Sequence, residues 1–103
     1  MKVSELEGAL LDYWVYRALH GKHLADFTGG TVPYSSDWRW GGPIIDACKM
    51  DVRNWNKDGP DESIEATMWS NGVYIGQFGK TRLIAAMRCF VASEYGDTCP
   101  DHE

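Results

Sequence analysis

Residues 64–78 constrain the fold of this chain more than any other stretch. Ile64-Glu65-Ala66-Thr67-Met68-Trp69 alternates apolar with polar or small side chains, the period-2 pattern of a half-buried strand. Asn71-Gly72 follows, and both residues tolerate the positive φ that a tight two-residue hairpin turn demands. Val73-Tyr74-Ile75-Gly76-Gln77-Phe78 then returns as the partner strand. Upstream, Val52 and Trp55 precede a dense turn signal, Asn56-Lys57-Asp58-Gly59-Pro60-Asp61. A three-stranded antiparallel sheet is the simplest assembly.

Helical spacing brackets that sheet. Ser4 and Glu7 have the S-x-x-E spacing of a capping box, which predicts a helix starting there. Leu6, Leu10, Trp14 and Ala18, widened by Leu11, Val15 and Leu19, give it a core-facing stripe, and Gly21 is the expected stop. At the other end Thr81 is the expected cap of a helix carrying Leu83, Met87, Phe90, Val91 and Tyr95, with Ala85 and Ala86 permitting close approach and Gly96 ending it. Between them, residues 22–42 show no clean periodicity, and Gly29, Gly30, Pro33, Gly41 and Gly42 break regular structure. Pro43 suits a first helical position, predicting either a short helix from Ile44 to about Met50 or an extended buried segment.

The pattern reads as an α+β fold: a small antiparallel β-sheet of about three strands, from about Val52 to Phe78, packed against N-terminal and C-terminal helices. Residues 31–45 are expected as a loop across one sheet edge. Residues 1–96 read as a single α+β domain and residues 97–103 as an acidic C-terminal tail containing Pro100. Exposed sheet edges predict a homo-oligomer.

Charge and composition limit the partners. A net charge of −5 and a pI near 5.1 argue against duplex nucleic acid, whose binding needs clustered Lys and Arg. No apolar run reaches the roughly 20 residues of a membrane span, and Met1-Lys2 leads straight into an acidic helix, so a cytoplasmic location is expected with no membrane contact. Cys48, Cys89 and Cys99 are odd in number and lack C-x-x-C spacing, as expected for reduced thiols, with Cys89 in the core. His20, His23 and Asp26 are spaced by three, but a helix stopping at Gly21 separates them, so they read as surface residues and no metal or cofactor is expected.

The candidate binding segment is Pro33-Tyr34-Ser35-Ser36-Asp37-Trp38-Arg39-Trp40-Gly41-Gly42-Pro43-Ile44-Ile45-Asp46, in a chain with five Trp, five Tyr and three Phe. In an extended conformation Trp38 and Trp40 would share one face and clamp a planar base, with Asp37 and the hydroxyls of Ser35 and Ser36 reading its polar groups. Arg39 or Arg88 would hold a phosphate, because the planar guanidinium matches phosphate oxygens. Gly41-Gly42 ahead of a helix start has the character of an anion-binding terminus. A purely structural reading stands beside this one: Asp37 caps a turn, the serines satisfy loop backbone, Trp38 covers the core, and Arg88 pairs with Asp37 or Asp46. No nucleophile elbow, Cys–His spacing or arguable carboxylate pair points to catalysis.

Three blocks also carry a family resemblance. The central block, Ser35-Ser36-Asp37-Trp38 with Gly41-Gly42-Pro43-Ile44-Ile45, is similar to the core of the NinX-like phage proteins. The opening Met1-Lys2-Val3-Ser4-Glu5-Leu6 and the closing Leu83-Ile84-Ala85-Ala86-Met87-Arg88-Cys89-Phe90-Val91-Ala92-Ser93 resemble that family's first and last helices, in its order and spacing. Arg82 departs from it, since relatives commonly place proline there. The resemblance implies a small accessory protein of tailed phages or prophages. Combined with the polar-aromatic segment, it leads to the expectation of a non-enzymatic phage accessory protein that counters host defence by sequestering a nucleotide-like small molecule. The alternatives are a protein–protein inhibitor of a host defence or replication protein, and a small nucleotide-processing enzyme.

Overall fold

A computed structural model describes residues 2–20, 32–54, 64–70, 72–96 and 98. Trp55, the turn expected at residues 56–61, Gly21, His23, Asp26, Cys99 and the tail apart from Thr98 lie outside the described residues. The chain order is a 3-10 turn (Val3–Glu5), α1 (Gly8–His20), α2 (Trp38–Cys48), β1 (Asp51–Asn54), β2 (Ile64–Ser70), β3 (Val73–Gly79) and α3 (Arg82–Tyr95).

The sheet is antiparallel in the order β1-β2-β3, with Ser70 opposite Val73 and Met68 opposite Ile75. This is the hairpin that the alternation implied, and the α+β class follows with it. Ala66 and Met68 are buried on one face, whereas Trp69, Tyr74 and Phe78 stand exposed on the other. The inner face packs on α3, and α3 in turn packs on α1 and α2.

A central helix must be apolar or small on nearly every side. Leu83 and residues 85–92 are all buried, including Ala85, Ala86 and Ala92, whose short side chains let neighbouring elements approach. Gly79 at the end of β3 meets the first turn of α3 so closely that a Cβ there would lie 2.9 Å from the Cα of Ala85. Thr81 caps the helix as expected, its Oγ1 accepting from the Ile84 N–H at 3.1 Å, and Gly96 ends it at φ 83°.

Three expectations are corrected. The Ser4–Glu7 capping box is replaced by the 3-10 turn, and α1 begins only at Gly8, whose φ of 62° breaks continuity with the residues before it. Leu11, Trp14 and Val15 form the buried face of α1, whereas Leu10 and Leu19 lie on its exposed side. The N-terminal helix therefore meets the sheet through α3.

The third correction concerns residues 31–45, expected as a loop. From Trp38 they are helical, and Pro43 lies inside α2 instead of opening it. Asp37 explains the earlier start: its backbone is extended and its carboxylate accepts from the Arg39 N–H at 2.9 Å, an N-cap that outweighs the breaking tendency of Gly41, Gly42 and Pro43.

Candidate functional site

The segment leading into α2 is built as a tight turn. Tyr34 N–H donates to the Val32 carbonyl at 2.8 Å, and Asp37 N–H to the Pro33 carbonyl at 3.0 Å. The turn is fastened to α1 by a buried carboxylate: Asp12 Oδ1 accepts from the Ser35 N–H at 2.8 Å, with both residues only 6% exposed. Tyr34 is buried beside them. Burial first, then the nearby Tyr16 and Asp12, push its phenol above the usual tyrosine value and keep it neutral.

Gly41 allows α2 to close on this turn. A Cβ at that position would collide with the Tyr34 carbonyl oxygen and would lie 2.7 Å from Leu83 Cδ2 of α3. Gly42 has a related role, since its Cβ position faces Trp38 Cε3 at 3.5 Å, so the indole can lie back along its own helix.

These contacts leave a groove between the turn and the start of α3. It has a volume of about 380 Å3 and is lined by Ser35, Ser36, Trp38, Thr81, Arg82, Leu83 and Ile84. Two serines, a threonine, an indole and a guanidinium thus surround an apolar floor. Arg82 is exposed and donates through Nη1 to the Val52 carbonyl at 3.3 Å, which holds its side chain toward β1. The set supplies donors for an anion and a ring for stacking.

Ser35, Ser36 and Trp38 therefore come together as the sequence suggested, while Tyr34, Asp37, Gly41 and Gly42 serve the turn and the helix that shape the groove. Asp37 is spent on its cap, and the Gly41 N–H donates to the Asp37 carbonyl at 3.0 Å, so the Gly-Gly pair is helix interior and not an anion-binding terminus. Trp40 does not join Trp38. At about 100° per residue a helix turns positions i and i+2 roughly 200° apart, so the two-ring clamp expected of an extended segment is lost, and Arg39 and Trp40 are exposed away from the groove's lining.

Arg88 is corrected more fully. It is 2% exposed, and its guanidinium donates from Nε to the Leu6 carbonyl and from Nη1 to the Phe78 carbonyl, each at 2.7 Å. Backbone carbonyls of the N-terminal segment and β3 stand where Asp37 or Asp46 was expected. The arginine at the groove is Arg82.

Sequence reasoning missed Asp12, Thr81 and Arg82 as contributors. Asp12 had a signal, a carboxylate beside Leu11 on the face that also holds Trp14 and Val15. Arg82 was visible only as a departure from a family pattern, because nothing local tells which distant turn faces a helix start.

Among the described residues no group of three His, Cys, Asp or Glu could hold a metal ion, and no helix is long and apolar enough to cross a membrane. No curated protein matches the chain at significant similarity. Residues 2–94 match the family model described as "Bacteriophage P22, NinX", a span that takes in all the described helices and strands except the last residue of α3, and the chain belongs to that NinX family.

Proposed function

We propose that this phage-family protein is a non-enzymatic accessory protein that counters host defence by sequestering a nucleotide-derived small molecule in the groove between residues 35–38 and the start of α3. One observation carries the reading: Trp38, Ser35 and Ser36 share a groove of about 380 Å3 with Thr81 and Arg82. That volume falls in the range of roughly 300–1,000 Å3 typical of small-molecule sites. Trp38 is 55% exposed, which leaves its face open to a base. Arg82 would take the phosphate, and the three hydroxyls would bond phosphate or ribose oxygens. The described lining carries no imidazole, thiol or carboxylate, a set suited to holding an anion and not to proton transfer.

The test is titration of the protein with a panel of mononucleotides and cyclic nucleotides, read by quenching of tryptophan fluorescence and by calorimetry. Stacking on one ring is worth roughly 1–3 kcal/mol, so Trp38→Ala should weaken binding by about 5- to 150-fold. Arg82→Ala should weaken binding of phosphorylated ligands specifically, and ligand released by heat should be chemically intact. Recovery of a processed ligand would replace capture with turnover.

A second reading, a protein–protein inhibitor of a host defence or replication protein, draws on the other side of α2. Trp40 is 44% exposed next to an exposed Arg39, and Trp and Arg are common interface anchors. Trp40→Ala would weaken such a complex while leaving nucleotide binding unchanged.

A further inference from the structure

The two edges of the sheet are built differently. β1 has four residues, carries the exposed ion pair of Asp51 with Arg53 at 2.9 Å, and has its Val52 carbonyl bonded to Arg82. Shortness, charge and a covering side chain are the usual guards of an edge strand. β3 has seven residues, Val-Tyr-Ile-Gly-Gln-Phe-Gly, without a charge or a proline.

The register decides which β3 backbone groups face outward. Ser70 and Val73 close the two-residue turn and so form a hydrogen-bonded pair, as do Met68 with Ile75 and Ala66 with Gln77. The N–H and C=O groups of Tyr74, Gly76 and Phe78 therefore point away from β2. The Phe78 carbonyl agrees with this direction, because it accepts from Arg88 on that side. Among the described residues nothing pairs with the outward groups of Tyr74 and Gly76. A groove of about 580 Å3, lined by residues 73–76 together with Ala92, Ser93 and Gly96 of α3, runs beside this half of the strand. Val73 belongs to the sheet face that packs on α3, yet it is 59% exposed, so α3 does not cover it.

We propose that residues 73–77 of β3 pair antiparallel with the same residues of a second copy, about a two-fold axis at Ile75, to form a continuous six-stranded sheet. That register sets Tyr74 opposite Gly76 of the second copy, and the two outward-facing pairs exchange four N–H···O bonds. Opposite a glycine the Tyr74 ring has room, and it already packs on Trp69 with centroids 5.0 Å apart. The groove beside residues 73–76 then faces Ile75 and Gln77 of the second copy, which lie on the same face of the joined sheet.

Charge favours this occupant and this edge. Each copy carries a net charge of −5, so two copies approach with least repulsion along the strand that has no charge. Pairing through β1 would use a strand of only four residues and would break the Arg82 bond to Val52. The pairing is isologous, so it closes at two copies and leaves the guarded β1 strands as outer edges. The pairing engages five strand residues per copy, well short of the roughly 20–30 residues a side of a standard interface, so the dimer should be weak, with a Kd on the order of 10 μM.

Sedimentation equilibrium of the full chain from low micromolar to submillimolar concentration tests this. The mass should rise from 11.6 kDa toward twice that value, and Tyr74→Lys, which adds a guarding charge, should weaken association by roughly ten-fold or more with an unchanged circular dichroism spectrum. Should Tyr74→Lys not fold, amide exchange of the unaltered chain decides. The Tyr74 and Gly76 amides should gain protection as concentration rises, while the β1 amides do not. A constant monomer mass, protection of both amides at every concentration, or a dimer indifferent to Tyr74→Lys would each overturn the proposal, the second by showing that the chain covers its own edge.

Discussion

Replacing Arg88 by alanine separates a structural arginine from a ligand-binding one. The side chain is 2% exposed and its guanidinium bonds two carbonyls at 2.7 Å, Leu6 ahead of α1 and Phe78 near the end of β3. Hydrogen bonds from a charged donor are worth about 1.5–3 kcal/mol each, so losing both costs about 3–6 kcal/mol, and the vacated volume adds a cavity term. A chain of this size has a total stability of about 5–15 kcal/mol, so Arg88→Ala should lose about a fifth of it or more. Arg88→Lys keeps the charge but not the fork that spans both carbonyls, and should fall between alanine and the original residue. Urea denaturation followed by tryptophan fluorescence reads the effect as a large fall in midpoint with little change in slope. An Arg88→Ala unfolding free energy within about 0.5 kcal/mol of the unaltered chain, the size of an ordinary surface substitution, would refute the internal-tie reading.

Other predictions follow from the turn, the cap and the core thiol. Gly41→Ala should destabilise by about 1–3 kcal/mol, measured by thermal unfolding, because the new methyl meets the Tyr34 carbonyl and Leu83. Asp12→Ala should cost about 1–3 kcal/mol by leaving the buried Ser35 N–H unpaired, while Asp12→Asn keeps an acceptor oxygen and should cost less in the same urea titration. Asp37→Ala should remove about 1 kcal/mol through loss of the α2 cap, and far-UV circular dichroism should show reduced helix. Burial pushes the Cys89 thiol from 9.0 up to about 12, so the fold favours its protonated form. That contribution is complete below the unfolded value near 9 and is lost as pH rises toward 12, so alkaline destabilisation should be shallower in Cys89→Ala than in the unaltered chain.

The sheet and the last helix were legible because their signals are local. Period-2 alternation around Asn71-Gly72 fixes both strands and their register, and Thr81 and Gly96 mark α3 by side chains that act within a few residues. The start of α2 was illegible for the opposite reason. Two glycines and a proline read as breakers, yet Gly41 is small because α2 presses on the Tyr34 carbonyl and on Leu83, a tertiary demand without a local trace. That helix then moved Trp40 away from Trp38, so a site read from extended alternation kept one of its two rings. Arg88 shows the same limit: an arginine among apolar neighbours had to find partners, but sequence pointed to carboxylates where the fold supplies carbonyls. Asp12 could be recognised as a polar residue on a buried helix face, but its partner is 23 residues away in the turn.

Capture itself is tested most directly by native mass spectrometry of the unaltered protein after exposure to a nucleotide-rich extract of phage-infected cells, followed by heat release of whatever it holds. The groove at Trp38 and Arg82 predicts one chemically intact nucleotide per chain, lost from Trp38→Ala and from Arg82→Ala while Trp40→Ala keeps it. A protein that emerges empty from such extracts, or a nucleotide retained by both groove variants, would contradict sequestration at this site.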